Sequence, residues 1–399
     1  MKKFSFSAVI VFSMMSLLMT GCLRKPYACT DPLGCVEVGN AENIQIGILL
    51  TLSGSNSPLG NDALRGVEIA VADKKQVFGH SIELVKEDDQ CSQTGGQQGA
   101  TQLAANPKIV GVIGATCSSA SEPAAKTLSN AGMVMISPSS TAPSLTDPAT
   151  HQPAFLRTIY NDKAQGEAVA SFAFNVLGAR QMATIHDGTS YPKQLQQAAC
   201  QSFEQFGGQC IQQVQIESGQ GISMMTPVLQ SIAINKPDVI YFPVYTADGV
   251  NITKEAATSG LSNAALISSD GLFNTAFIQQ TEPSSEGMYV SGPATIKEPQ
   301  DFLAKFKAQF GEEPVAAYHL QAYDATTMLF NAIEKVAIPI SSNTNSISIP
   351  RQALRQALYA TQNMQGLSGV LSCSTTGDCA QANIEIYQIV NSNFKPIYP

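Results

Sequence analysis

Short apolar runs and apolar stripes at helical spacing alternate along most of this chain. Ile44 to Leu50 is a nearly continuous apolar run, and the segment from Asp62 to Gln76 carries Leu64, Val67 and Val71 at spacings of three and four, one buried stripe of a helix. Ser81 to Lys86 reads as a strand, a helix surrounds Ala100, and Ile109 to Ile113 and Val134 to Ile136 read as further strands. After Tyr160 the order repeats: a helix from Gly166 to Leu177, a strand from Met182 to His186, a helix ending near Phe206, and a strand from Ile211 to Ile216. A helix through Leu229 and strands at Val239 to Phe242 and Leu266 to Ser269 complete the second series. Apolar strands separated by amphipathic helices predict parallel sheets covered on both faces, because each crossover lays a helix on the sheet. The expected class is therefore α/β, with two lobes that each hold a parallel sheet flanked by helices.

The segments from Ile109 to Ser140 and from Asp238 to Gly271 share one order: strand, polar turn, helix, glycine, strand, polar turn. Matching turns matter because open α/β sheets bind ligands outside the carboxyl ends of their strands. In the first unit those turns carry Ser118, Ser119, Ser139 and Thr141; in the second they carry Tyr245 and Asp270. Ser119 to Glu122 has the S-x-x-E spacing of a capping box, and a helix start leaves amide donors free to hold an anion. Ser118 and Thr141 could add hydroxyl donors, Asp270 could pair with an ammonium, and Tyr191 and Tyr245 could cover a ligand between the lobes. Helix capping, turn formation and ordinary burial are the competing readings of the same residues. Taken together, hydroxyls and amides on one side with an acid and aromatics on the other would suit a zwitterion.

The N-terminus changes the expected compartment. Lys2 and Lys3 precede an apolar run from Ala8 to Met19, then Thr20, Gly21 and Cys22. That run is too short for a membrane span of about 20 residues and suits an export signal. Residues 1–21 are read as a lipoprotein signal peptide and Cys22 as the lipidated residue, with ordinary cleavage or a retained anchor as alternatives. Residues 22–42, with Pro26, Pro32 and Gly34, read as a tether. The expected setting is the periplasm or cell surface, held to a membrane through lipid.

Nine cysteines less Cys22 leave an even set, which in an exported chain favours disulfides. Spacing suggests Cys29–Cys35, Cys91–Cys117, Cys200–Cys210 and Cys373–Cys379. With no CxxC and four histidines, neither a metal nor a redox cofactor is expected. A net charge of −8 without a basic cluster argues against nucleic acid. No nucleophile elbow, P-loop, zinc-protease helix or dinucleotide fingerprint stands in its proper context. His186-Asp187 at a strand end and the Gly95-Gly96 pair are weak motifs, and His319 has no nucleophile elbow before it. Binding is expected rather than catalysis.

The segments "IGATCSSASEPAA", "MISPSSTAPSLT", "FLRTIYNDKAQGEAVA", "IHDGTSYPKQL" and "YDATTMLFNAIEK" resemble the leucine/isoleucine/valine-binding proteins. These are type I periplasmic binding proteins, receptors of branched-chain amino acid ABC transporters. The resemblance runs from about Ile44 to the end. It implies that Ser118 and the Thr141 amide hold the ligand carboxylate, that the segment from Ser139 to Thr141 with Asp270 holds the ammonium, and that Tyr191 and Tyr245 line the closing lobe. Leu59 stands where relatives often carry an aromatic, and Asp270 is one methylene shorter than the usual Glu. The Cys91–Cys117 bridge also matches the family pattern. Three crossings would form a hinge between an N-terminal lobe (43–159 plus 292–371) and a C-terminal lobe (160–291 plus 372–399). The implied partners are a branched-chain or similar amino acid and the permease subunits of a transporter. A sensory binding module, or a carrier of an amide, urea or aromatic acid, would share these features.

Overall fold

The computed structural model describes residue 1 and residues 27–294, 299–340 and 344–399. Cys22 and the leader lie outside the described residues. A six-stranded sheet takes the spatial order Gln76–Val77, His80–Asp88, Ile44–Leu50, Ile109–Gly114, Met135–Ser137, Phe155–Arg157. Every pair is parallel except the two-residue edge strand. Its central strand buries Ile44, Ile46, Ile48, Leu49 and Leu50 completely, as helices on both faces require. One face is covered by the helices Ser57–Lys74 and His319–Val336. They approach so closely at Gly66 that a Cβ there would sit 1.9 Å from the His319 carbonyl oxygen, so no larger residue fits.

The second sheet has seven strands in the order Asn393–Tyr398, Ile384–Val390, Tyr289–Pro293, Ala265–Ser268, Val239–Tyr241, Gln181–His186, Gln209–Gln215. Its first two pairings are antiparallel and the other four parallel. The chain passes between the two sheets three times: after Arg157, after Pro293, and between Leu371 and Ile384. The apolar runs mark eight of these thirteen strands within a residue or two; Gln76–Val77, Phe155–Arg157, Tyr289–Pro293, Ile384–Val390 and Asn393–Tyr398 are not read from the sequence.

Three local readings change. Cys35–Val38, placed in the tether, is a strand paired antiparallel to Ile347–Pro350. Val36 and Val38 alternate with Glu37 and are buried, a period of two too short to stand out in sequence. The helix expected from Gly166 starts earlier, at Asp162, because the Asn161 side chain caps it by accepting from the Lys163 amide. The capping box fails. The helix Ser118–Asn130 already begins at Ser118, with Cys117 at its cap position and no side-chain cap, while Pro123 sits well inside it.

The structure joins Cys29–Cys35, Cys91–Cys117, Cys200–Cys210 and Cys373–Cys379. Cys91–Cys117 links the loops after His80–Asp88 and Ile109–Gly114, the two strands that flank Ile44–Leu50 in the first sheet, next to Ser118. Among the described residues no helix is long and apolar enough to cross a membrane.

Candidate ligand-binding site

The carboxyl ends of the parallel strands of both sheets converge on one narrow cavity with about 10 Å³ open to the centre of a water-sized sphere, room for about one water. Leu59, Ser118, Ser139, Tyr191, Tyr245 and Asp270 line it together with Thr116, Cys117, Gly271 and Tyr318. Six of the seven residues named from the sequence are therefore brought together. Thr141 is fully buried behind the wall, and its carbonyl accepts from the Asp162 amide at 3.0 Å. Ser118 Oγ accepts from the Ala142 amide at 3.1 Å, and Ser139 Oγ donates to the Thr116 carbonyl at 2.8 Å. Both hydroxyls fix the shape of the wall, and the Ser118 proton remains free to donate into the cavity. At the start of this helix the Ala120 amide donates to the Cys117 carbonyl at 3.0 Å, which leaves the Ser118 and Ser119 amides without a backbone partner.

Asp270 follows the strand Ala265–Ser268 and is buried. Its Oδ1 accepts from Tyr191 Oη at 2.7 Å and Gln165 Nε2 at 2.8 Å, and its Oδ2 accepts from Tyr318 Oη at 2.6 Å. Burial raises the carboxyl above its ordinary range, and the three donors oppose that rise. Tyr191 further meets Ser269 Oγ at 2.6 Å and stands 5.4 Å from the Tyr245 ring, so the two aromatics form one wall.

A second carboxylate was missed. Asp162 opens the helix Asp162–Ser171 and has no exposure to solvent, yet no hydrogen bond of normal geometry reaches either oxygen; the Thr141 hydroxyl stands near it, close enough to act on its charge but not in bonding geometry. Burial and the nearby Asp270 charge push the Asp162 carboxyl well above its usual range, with Thr141 and Arg157 opposing in part. In sequence it is an ordinary first-turn acid, favourable beside the helix dipole. A buried carboxylate with no donor is costly unless a cation or a proton joins it.

Tyr318 was missed as well, and Asp62 explains how it is held. Asp62 reaches from the helix Ser57–Lys74 to accept from the backbone amides of Val315, Ala316, Tyr318 and His319 and from His319 Nδ1. It caps the helix His319–Val336 from outside, because no local side chain does. Asp62→Ala is expected to lower stability by at least about 1 to 3 kcal/mol, the cost of one buried donor left without its acceptor, because it strips four backbone amides of theirs. Denaturant unfolding measures that loss.

The two lobes meet beside the cavity. Glu122 Oε1 accepts from Ser144 Oγ in its own lobe and from Ser190 Oγ of the opposite lobe, which is why it does not turn back to cap its helix. Gln194 adds two bonds to Ser144: its Oε1 accepts from the amide and its Nε2 donates to the hydroxyl, both at 2.9 Å.

Two lobes, three passages and a cavity at the strand ends define a fold that known sequences share. A family model described as periplasmic binding protein matches residues 43–393. The chain belongs to the periplasmic binding protein family. The Leu/Ile/Val-binding protein of Escherichia coli K12 is 26% identical over 279 residues, 69% of this chain and 72% of that one. A Leu/Ile/Val-binding protein homolog of Brucella melitensis is 24% identical over 353 residues, 87% of this chain and 91% of that one. A leucine-binding protein of Thermotoga maritima superposes with a TM-score of 0.78 at 25% identity, over 89% of this chain and 97% of that one. A solute-binding protein of R. palustris solved with benzoate superposes at 0.75 with 20% identity, over 89% of this chain and 96% of that one. The relatives among periplasmic binding proteins are substrate-binding components of ABC transporters, and the family places its members outside the cytoplasm.

Proposed function

We propose that the protein captures a small amino acid, of the branched-chain kind or similar, between its lobes and presents the closed form to an ABC transporter. The observation that carries this reading is Asp270, a buried acid on the cavity wall, with a second buried acid, Asp162, close enough for the two charges to interact. Among the described residues the nearest buried cation, Arg157, is already paired with Asp378. A ligand ammonium supplies the missing positive charge, while Ser118 and the first-turn amides of its helix receive the carboxylate. Leu59, Tyr191, Tyr245 and Tyr318 enclose the side chain. The Glu122–Ser190 and Ser144–Gln194 contacts hold the lobes together once the hinge of three passages closes. Cys22 carries the lipid that keeps the exported protein at a membrane, and the protein acts by binding and not by catalysis.

The benzoate-bound relative keeps an aromatic acid in view. An aromatic acid brings no ammonium and would leave Asp162 and Asp270 uncompensated, which favours the amino acid. A thermal-shift screen against amino acids, their amides, urea and aromatic acids tests the choice. A true ligand at 100 times its Kd is expected to stabilise by about 2.7 kcal/mol. Stabilisation by benzoate but by no amino acid would overturn the reading.

A further inference from the structure

We propose that Asp378, on the third passage between the sheets, is a positioning residue for the ligand loop and acts through Arg157. The inference rests on reading residues 138–146 as part of the binding site. Arg157 ends the edge strand Phe155–Arg157 and is wholly buried. Its Nη1 donates to the carbonyls of Ser140 and Ala142, both at 3.1 Å, and its Nη2 donates to Thr146 Oγ1 at 2.6 Å. These acceptors bracket Thr141, so the guanidinium holds from behind the loop that turns Ser139 toward the cavity. The same loop gives its Ala142 amide to Ser118 and its Thr141 carbonyl to the Asp162 amide. One cation thus sets the relative positions of the hydroxyl wall and the unpartnered acid.

A buried guanidinium needs a counter-charge. Asp378 provides it: Arg157 Nε donates to Asp378 Oδ1 at 2.5 Å. Asp378 is not a neighbour in the chain but lies in the loop closed by the Cys373–Cys379 disulfide. That loop docks along the edge strand, with the Arg157 amide donating to the Gly377 carbonyl and the Cys379 amide to the Arg157 carbonyl. Gly377 has φ 92°, and a Cβ there would lie 2.4 Å from the Phe155 carbonyl oxygen, so the close approach depends on glycine. The Asp378 side chain is 31% exposed, so it can be changed without emptying the core. The cystine loop therefore links a hinge passage to the ligand wall through one ion pair.

The test uses the full chain with its disulfides intact. In ligand-free hydrogen–deuterium exchange, Asp378→Ala is expected to speed exchange in residues 138–146 by about tenfold while the strand Gln181–His186 keeps its protection. Asp378→Asn retains one acceptor for Arg157 Nε and is expected to restore part of that protection. In calorimetry the alanine variant should bind L-leucine about tenfold more weakly than the parent, a difference of about 1.4 kcal/mol. Unchanged exchange at 138–146 overturns the proposal, as does faster exchange spread over both sheets in both variants, which would mark general loss of the fold. Should the parent itself not bind L-leucine, the leucine assignment fails on that measurement and the exchange result alone decides the role of Asp378.

Discussion

Asp270→Asn is expected to weaken amino-acid binding by roughly 10- to 100-fold and, in the same protein without ligand, to leave the melting temperature unchanged or higher. The first effect follows from charge. A carboxylate offers about four acceptor positions; Tyr191, Gln165 and Tyr318 occupy three of them. One position is left, on a residue that lines the cavity, and a hydrogen bond to a charged group there contributes about 1.5 to 3 kcal/mol. Asparagine removes the charge and can turn an NH₂ toward the ligand ammonium. The second effect has the opposite sign because burial raises the Asp270 carboxyl, so its ionised form opposes folding until a cation arrives. A neutral amide relieves that opposition while its one oxygen still accepts from Tyr191 and Gln165 and its NH₂ donates to the Tyr318 oxygen. Titration calorimetry and scanning calorimetry on one preparation separate the two. Parental affinity in the variant would remove Asp270 from the ammonium site. Loss of both affinity and stability would instead make it a structural acid.

The sequence made the strands legible because burial on both faces leaves long apolar runs such as Ile44–Leu50, whose period no surface requirement interrupts. It made most of the site legible for a related reason: ligands of open sheets sit at strand carboxyl ends, so the polar turns after Gly114, Ser137, Tyr241 and Ser268 were the places to look. What it hid depends on partners distant in the chain. Asp162 gains its character from full burial beside Asp270, more than a hundred residues away, and not from any neighbour in its own helix. Tyr318 reaches Asp270 only because Asp62 gathers the amides from Val315 to His319 onto one carboxylate. Glu122 has the spacing of a capping residue, yet two serines, one of them on the opposite lobe, compete for it successfully. Local patterns report what a residue can do alone, and tertiary neighbours decide which option is used.

Six buried acids make pH the most informative variable. Asp89, Asp162, Asp187, Asp248, Asp270 and Asp324 all hold their carboxyls above the ordinary range, with burial as the leading cause in each. Asp89 and Asp248 are raised to about 6. A carboxyl raised on folding binds protons more readily in the native chain than in the unfolded one. Between its unfolded and folded values the native state carries the extra proton, so stability falls as pH rises through that window. For Asp89 the displacement from 3.8 to about 6, at ~1.4 kcal/mol per unit, costs on the order of 3 kcal/mol at neutral pH. The ligand-free protein is therefore expected to melt higher at pH 5 than at pH 7. Acids lowered by their partners, such as Asp88 and Glu42, act the other way, but both are exposed far more than these six. Amino-acid affinity should move oppositely. A ligand ammonium must find Asp162 and Asp270 ionised, so protonation competes with binding and the ligand-induced shift should shrink as pH falls. Melting curves at pH 5, 6 and 7, with and without ligand, test both slopes. Parallel slopes for the free and bound protein would mean that ligand and proton do not share those two carboxylates.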